Sequence, residues 1–367
     1  MSKTTQNVIG EGSFGCIHKP SLVCRDKKIP YKNKISKLLL TENAIQELKE
    51  YMLISETDKK SEYFLGMPQL CKLKISKNSI KSIKKCNRLS RKNTINKKLL
   101  ENYSLLIMND GGMDVEKFGL ECGKLTISET NKKTAIDFWK ETGRLLQGLA
   151  IFQKHDIVHF DLKPQNIVYD SKNKRINFID FGHMRKISDS IKSAEQSDNG
   201  LIEDAFWNYP FEVQFLNKDK YLKISNMTNG DRKKWMRSFL MDLDLHNDTE
   251  FATAYETFID LFTENLSTVE IQKIEQKYKY DFYKTLIQQI HKENYQSFLE
   301  KSIKTVDIYG IGMTFKYALN YTSHLLPTKF IEKMSELSYL MTTADLSKRV
   351  LVDNAIRLHL EAISLLR

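Results

Sequence analysis

The chain has 367 residues, 41% of them hydrophobic, with 57 Lys or Arg against 46 Asp or Glu. That length exceeds one minimal domain and suits two lobes or a domain with inserts, and a net charge of +11 brings anionic partners into consideration. No apolar run is long enough to span a bilayer, and the opening "MSKTTQNVIGEG" lacks a signal-peptide core, so the sequence reads as a soluble, intracellular protein. The five cysteines (Cys16, Cys24, Cys71, Cys86, Cys122) show no C-x-x-C spacing and leave one unpaired. They read as free thiols of a reducing compartment rather than disulfides or zinc ligands.

In chain order, the first distinctive element is "VIGEGSFGCI", in which Gly10 to Ile17 reads G-x-G-x-x-G-x-Ile. Glycines so placed let a backbone fold closely over phosphates and aim N–H groups at them. Ile9, Gly10, Glu11, Gly12, Ser13, Phe14, Gly15, Cys16 and Ile17 are therefore a candidate nucleotide cradle, although a tight hairpin accounts for the pattern equally well. "NKISKLLL" follows as an apolar strand carrying Lys37, either a cation for bound phosphates or a surface lysine. The helical stretch "TENAIQELKEYMLI" carries Glu47 and Glu50, candidates to pair with Lys37 or ordinary solvated glutamates. Residues 72–98 hold eleven Lys or Arg and no acid, a run that alone matches the net charge. It is either an electrostatic contact for an anionic membrane or nucleic acid, or a solvated insert; the run has no aromatics for base stacking.

"YSLLIMNDGG" reads as a strand entering a Gly-rich connection, and 135–154 as one helix with Phe138, Leu145, Leu149 and Phe152 on a face. The segment "IVHFDLKPQNIVYDSKNKRINFIDFG", 157–182, sets Asp161, Lys163, Asn166 and Asp180 among residues typical of short buried strands. Carboxylates there are costly to desolvate unless something neutralises them, and a metal-bound phosphate would do so. A polar loop, "ISDSIKSAEQSDNG", comes next, and beyond residue 213 the chain reads as mostly helical.

The order of these fragments (glycine-rich loop, strand lysine, helix glutamate, "HFDLKPQN", "DFG") resembles the eukaryotic-type protein kinases over most of the chain. His159, Asp161, Lys163, Asn166, Asp180, Phe181 and Gly182 stand at that family's spacing. "WNYPFE" resembles its A-P-E element through Pro210 and Glu212, with Tyr209 in place of alanine. "VDIYGIG" resembles the helix whose aspartate, here Asp307, anchors the catalytic loop, and "ADLSKRV" the element whose arginine, here Arg349, pairs with the A-P-E glutamate.

The resemblance implies an α+β, two-lobed fold: a small β-rich lobe over 1–108, with 72–98 as a basic insert, and a large helical lobe over 109–367. It implies ATP and Mg²⁺ as cofactors, bound between the lobes, and transfer of the γ-phosphate to serine or threonine hydroxyls of protein substrates. Asp161 would accept the hydroxyl proton, Asn166 and Asp180 would hold the metal, Lys163 would meet the γ-phosphate, and Lys37 the α- and β-phosphates. Glu47 fits the register for orienting Lys37 better than Glu50.

The departures are as informative as the matches. Phe160 replaces the usual arginine before Asp161, and "EDAFWNYPFE" offers no clear counterpart to the family's threonine or serine before A-P-E. The 95 residues from Glu212 to Asp307 require a helical insertion, about 213–303. With "IHKPSLVC" and "FWNYPFE", that insertion resembles the divergent kinases of large cytoplasmic DNA viruses, which would place the protein in host cytoplasm or the virion. A catalytically inactive scaffold and a small-molecule kinase of the same fold are the rival readings.

Overall fold

A computed structural model describes residues 7–11, 15–90, 94–196, 208–244, 249–264, 266–285, 290 and 294–366. The chain divides into two compact units, Met1–Gly112 with Asn177–Gly182, and Met113–Ile176 with His183–Arg367. The combination is α+β, and among the described residues no helix is long and apolar enough to cross a membrane.

The first unit is built on β1 (Asn7–Glu11), β2 (Gly15–Lys19), β3 (Lys34–Leu40), β4 (Gln69–Lys72) and β5 (Tyr103–Asn109), ordered β1-β2-β3-β5-β4 with antiparallel pairing throughout. The alternation of strand side chains divides its apolar residues between two faces. Leu39 and Leu106 pack with Ala44 of α1 (Thr41–Thr57). Their neighbours Leu38, Leu105 and Ile107 join a second core on the opposite face. The basic segment closes that second core. Its helices α2 (Lys77–Ile83), α3 (Asn87–Ser90) and α4 (Lys97–Leu100), with the turns between them, contribute Ile83, Cys86, Leu89, Ile95 and Leu100. Lys77, Lys81, Lys84, Lys97 and Lys98 face outward. The run is thus an amphipathic cover rather than a structureless charged strip.

Expected free thiols are found in one place, Cys122, which is buried. Cys16 is bonded to Cys86 and Cys24 to Cys71, at sequence separations of 70 and 47. Local spacing carries no trace of pairs that only the sheet and its cover bring together.

The second unit begins with β6 (Met113–Asp114) and the helices α5 (Val115–Gly123), α6 (Glu129–Glu141) and α7 (Gly143–Lys154). The single helix expected over 135–154 is two, broken at Thr142, whose hydroxyl bonds Trp139 O at 2.6 Å and His359 Nε2 at 2.8 Å. β7 (Ile157–Val158), β8 (Ile167–Asp170) and β9 (Arg175–Phe178) follow, then β10 (Arg185–Lys186). β10 pairs antiparallel with β7, and β8 with β6. The expected polar loop after β10 is a helix, α8 (Ile187–Glu195), as far as the described residues extend. Ile187, Ser190 and Ala194 form its buried stripe at helical spacing, which the surrounding serines and charges mask in the sequence.

The helical insertion comprises α9 (Lys218–Ser225), α10 (Asn229–Asp244), α11 (Thr249–Thr263) and α12 (Thr268–Tyr283). It precedes the 28-residue α13 (Tyr295–Thr322), which is buried on nearly every side from Ser302 to Phe315. Helices α14 (Thr328–Thr342) and α15 (Val352–Ile363) complete the unit.

Candidate functional site

In the first unit, β1 and β2 form the hairpin of the glycine-rich segment, with Gly10 opposite Ile17 and Glu11 opposite Cys16. Gly12, Ser13 and Phe14 lie outside the described residues. Gly15 has a packing reason to be glycine, because a Cβ there would stand 2.1 Å from Leu38 O. Lys37, opposite Ile17 and Leu106, shares a strand face with Leu39 and so points toward α1. Its Nζ lies 2.6 Å from Glu47 Oε2, with both side chains mostly buried. Glu47 lies on the stripe of Ala44, Tyr51 and Ile54, whereas Glu50 is turned off it. Burial, then the charges of Glu47 and Asp180, push the Glu50 carboxyl up to about 7 against the pull of Lys37.

Asn177–Gly182 belongs to this unit through Phe178, whose N–H bonds Tyr63 O at 2.9 Å. Phe181 is buried edge-on against Tyr51 and Phe64, at centroid separations of 5.1 and 6.0 Å. Asp180 is exposed and holds a φ of 63°, a left-handed backbone unusual for a non-glycine residue. The aromatic anchor thus leaves the neighbouring carboxylate turned to solvent.

The second unit fixes 159–166 mainly through its backbone. Asp307, on α13, accepts the N–H of His159 at 2.7 Å on Oδ2 and of Phe160 at 2.9 Å on Oδ1. Those bonds hold Phe160 at a φ of 63°. Gly310, one turn along, allows the helix to approach this segment, since a Cβ there would meet Leu162 O at 2.3 Å. Burial pushes the Asp307 carboxyl up to about 7, although the two N–H donors favour its charged form.

Asp161 is 5% exposed, and its carboxylate is surrounded by donors. Lys163 Nζ lies 2.8 and 2.9 Å from the two oxygens, and Asn166 Nδ2 lies 2.6 Å from Oδ2 and 2.8 Å from Asp161 O. The 3-10 turn Pro164–Asn166 brings Asn166 back onto Asp161. With Nδ2 so used, Asn166 keeps its carbonyl oxygen for another partner. Asn208 also reaches Asp161, at 3.4 Å from Oδ1. The sequence alone gives this residue no role, because nothing in the spacing of "WNYPFE" marks it.

Phe160 is buried beside Tyr209, and the Arg185 guanidinium lies 5.1 Å above its ring. A cation therefore stands near the position where the resembling family carries arginine, although it comes from β10. Farther away, Arg349 and Glu212 form a fully buried pair through the two terminal guanidinium nitrogens, Nη1 and Nη2, and the guanidinium also donates to Thr343 O and Thr305 Oγ1. The insertion also reaches the 164–165 turn: Asp260 and Leu261 of α11 line a cavity of about 510 Å³ with Glu116, Pro164, Gln165 and Tyr317.

Comparison with known proteins adds a class to this geometry. Residues 120–200 match the protein kinase domain. Over 82 residues the chain is 34% identical to the probable serine/threonine-protein kinase HSL1 of Saccharomyces cerevisiae, a stretch that is 22% of this chain and 5% of the yeast protein. Over 68 residues it is 37% identical to calcium-dependent protein kinase 4 of Plasmodium falciparum and 35% identical to that of Plasmodium berghei, 16% of this chain and 13% of each relative. The chain therefore spans a small part of each relative's length, and the similarity is to eukaryotic-type protein kinase domains.

Proposed function

We propose that the protein is an ATP- and Mg²⁺-dependent kinase that transfers the γ-phosphate to serine or threonine hydroxyls of proteins. The observation that carries this reading is the Asp161 carboxylate, held by Lys163 and Asn166 on a segment whose backbone Asp307 fixes. Phosphoryl transfer demands positioning and charge stabilisation more than covalent chemistry, and this is a positioning device.

Asp161 would orient the hydroxyl and take its proton, while Lys163 would neutralise charge on the γ-phosphate. Lys37, oriented by Glu47, would hold the α- and β-phosphates. By donor chemistry alone, the Asn166 carbonyl oxygen and the exposed Asp180 carboxylate are hard oxygen donors of the kind Mg²⁺ prefers, and they are the residues that would hold it. Bound there, Mg²⁺ would supply positive charge to the phosphate oxygens. The lysine two residues after Asp161 supports the serine/threonine preference, and the A-P-E-like and DFG elements support a protein substrate over a small molecule. The departures around 18–24 and 206–212, with the insertion, support the narrower proposal of a divergent viral kinase.

The test is transfer from labelled ATP to a panel of proteins and small molecules. Asp161→Asn is expected to lose transfer by at least about a thousandfold while still binding nucleotide, and Asp180→Ala to weaken Mg²⁺–ATP binding as well. Wild-type rates from Asp161→Asn would overturn the kinase assignment. Transfer absent from wild type too, with nucleotide still bound, would favour the scaffold.

A further inference from the structure

Three consecutive residues of the basic segment hold the glycine-rich hairpin. Cys86, in the turn between α2 and α3, is bonded to Cys16 of β2. Lys85 Nζ donates to Asn7 Oδ1 at 2.9 Å, and the Asn87 N–H donates to Glu11 Oε1 at 3.0 Å. Asn7 and Glu11 are the two ends of β1, and Glu11 stands opposite Cys16. The next residue of β2, Ile17, pairs with Lys37 of β3. The hairpin read above as a nucleotide cradle is thus clamped by 85–87 and registered on the strand that carries Lys37. Both hydrogen bonds of the clamp are exposed to water, where such bonds contribute little, so the covalent bond dominates it. The other bridge is built differently. Cys24 and Cys71 lie where backbone already joins their segments: Arg25 N–H donates to Lys72 O and Lys74 N–H to Val23 O, each at 2.8 Å. Cutting that bridge leaves its segments paired, whereas cutting Cys16–Cys86 leaves the hairpin on exposed bonds and apolar packing.

We propose that the Cys16–Cys86 bond is a redox switch on nucleotide affinity, an inference that rests on the phosphotransfer reading above. Oxidised, it holds the hairpin in place before the nucleotide arrives, so less freedom is lost on binding. Reduced, it lets the hairpin sample other positions, and the apparent affinity falls with the fraction still in place. The co-reactant is a dithiol. One of its thiolates attacks a sulfur of the bridge and releases the other cysteine as thiolate. Its second thiolate then displaces the first cysteine, and the dithiol leaves as a cyclic disulfide. The protein's S–S bond is thereby exchanged for one in the reductant, whose two electrons and two protons end on Cys16 and Cys86. Both sulfurs belong to fully buried residues, so attack waits on the hairpin parting from the cover. Linkage runs both ways: a nucleotide that favours the seated hairpin must favour the oxidised bridge by the same factor.

The test measures Mg²⁺–ATP binding by the full chain, oxidised and after reduction by a dithiol, with each bridge's state read by alkylation and mass spectrometry. Wild type is expected to bind about tenfold more weakly when reduced. Cys24→Ser with Cys71→Ser keeps the Cys16–Cys86 bond and should show the same change. Cys86→Ala should bind as weakly as reduced wild type in either condition. The first of these variants also loses a bridge of the same unit, so it separates the switch from a general loosening. Equilibrated in a thiol–disulfide buffer, wild type with saturating ATP should keep the Cys16–Cys86 bond at a dithiol-to-disulfide ratio about tenfold higher than without ATP. That readout is independent of phosphate transfer. Equal affinity of oxidised and reduced wild type would overturn the proposal and leave the kinase reading in place. So would an oxidised Cys24→Ser, Cys71→Ser protein that binds as weakly as Cys86→Ala. No ATP binding in either state would sink the kinase reading and this switch together.

Discussion

Lys37 and Asp161 are both polar groups set among apolar strands, yet the two units hold them differently. Lys37 is fixed by another long side chain, Glu47, on a sheet whose opposite face is closed by two disulfides and a lysine-rich cover. Asp161 stands on a backbone pinned by Asp307, beside a helix close enough to require Gly310. A group that neutralises phosphate charge tolerates some play, because Coulomb attraction falls slowly with distance. A group that takes a proton does not, because its lone pair must be aimed. On the kinase reading proposed above, Lys37 would be a group of the first kind and Asp161 one of the second, and the pinned backbone under Asp161 adds to the Lys163 and Asn166 donors on its carboxylate.

The comparison breaks most sharply at Arg349. Arg349→Ala leaves the Glu212 carboxylate buried and unpaired and is expected to cost about 3–5 kcal/mol. In a denaturant titration this should shift unfolding of the second unit and leave the first nearly unmoved. Replacing both partners, as in Glu212→Leu with Arg349→Met, should recover much of the loss, since the penalty belongs to the orphaned charge. A single variant with an unchanged midpoint would show that the pair is not what holds the unit.

The complementary break lies in the first unit. Removing the cross-links, by reductant or by Cys16→Ser with Cys24→Ser, is expected to destabilise that unit by about 2–4 kcal/mol for each of the two bridges. Thermal scans with and without reductant should show its transition fall while that of the second unit stays in place. Equal shifts in both would remove the contrast between them.

Legibility in the sequence follows the same division. Periodicity alone left Glu47 and Glu50 both open as partners of Lys37, and it was the register of the resembling kinase family that favoured Glu47, the residue whose carboxylate meets Lys37 at 2.6 Å. Asp161, Lys163 and Asn166 were singled out by their match to kinase-family spacing, and the 3-10 turn Pro164–Asn166 brings them together. Arg185 was legible only as one of two cations, with Lys186, that could stand in for the arginine missing at Phe160, and it is Arg185 that lies over the Phe160 ring. Asn208 and the disulfides were not legible, since each joins residues that only tertiary structure makes neighbours. In 72–98 the charge itself misled: eleven cations drew attention from Leu73, Ile83, Cys86, Leu89 and Ile95, which build a core.

That segment gives the smallest expected effect. Deleting it would remove Ile83, Leu89 and Ile95 from the core and break the link between Cys86 and Cys16, so a deletion reports on folding before it reports on charge. Charge reversal separates the two. Lys77, Lys81, Lys84 and Lys98 are exposed, and changing them to Glu is expected to alter stability by no more than about 0.5 kcal/mol per site. Leu89→Ala, at a position only 7% exposed, should cost about 2–5 kcal/mol. The reversed variant can then be compared with wild type on anionic vesicles at low and physiological salt. An electrostatic contact should lose its salt-sensitive binding, each lysine being worth about 1 kcal/mol at an anionic surface. Equal binding by the two proteins would leave these lysines as the solvated side of an amphipathic cover, with the segment's whole contribution lying in the apolar residues between them.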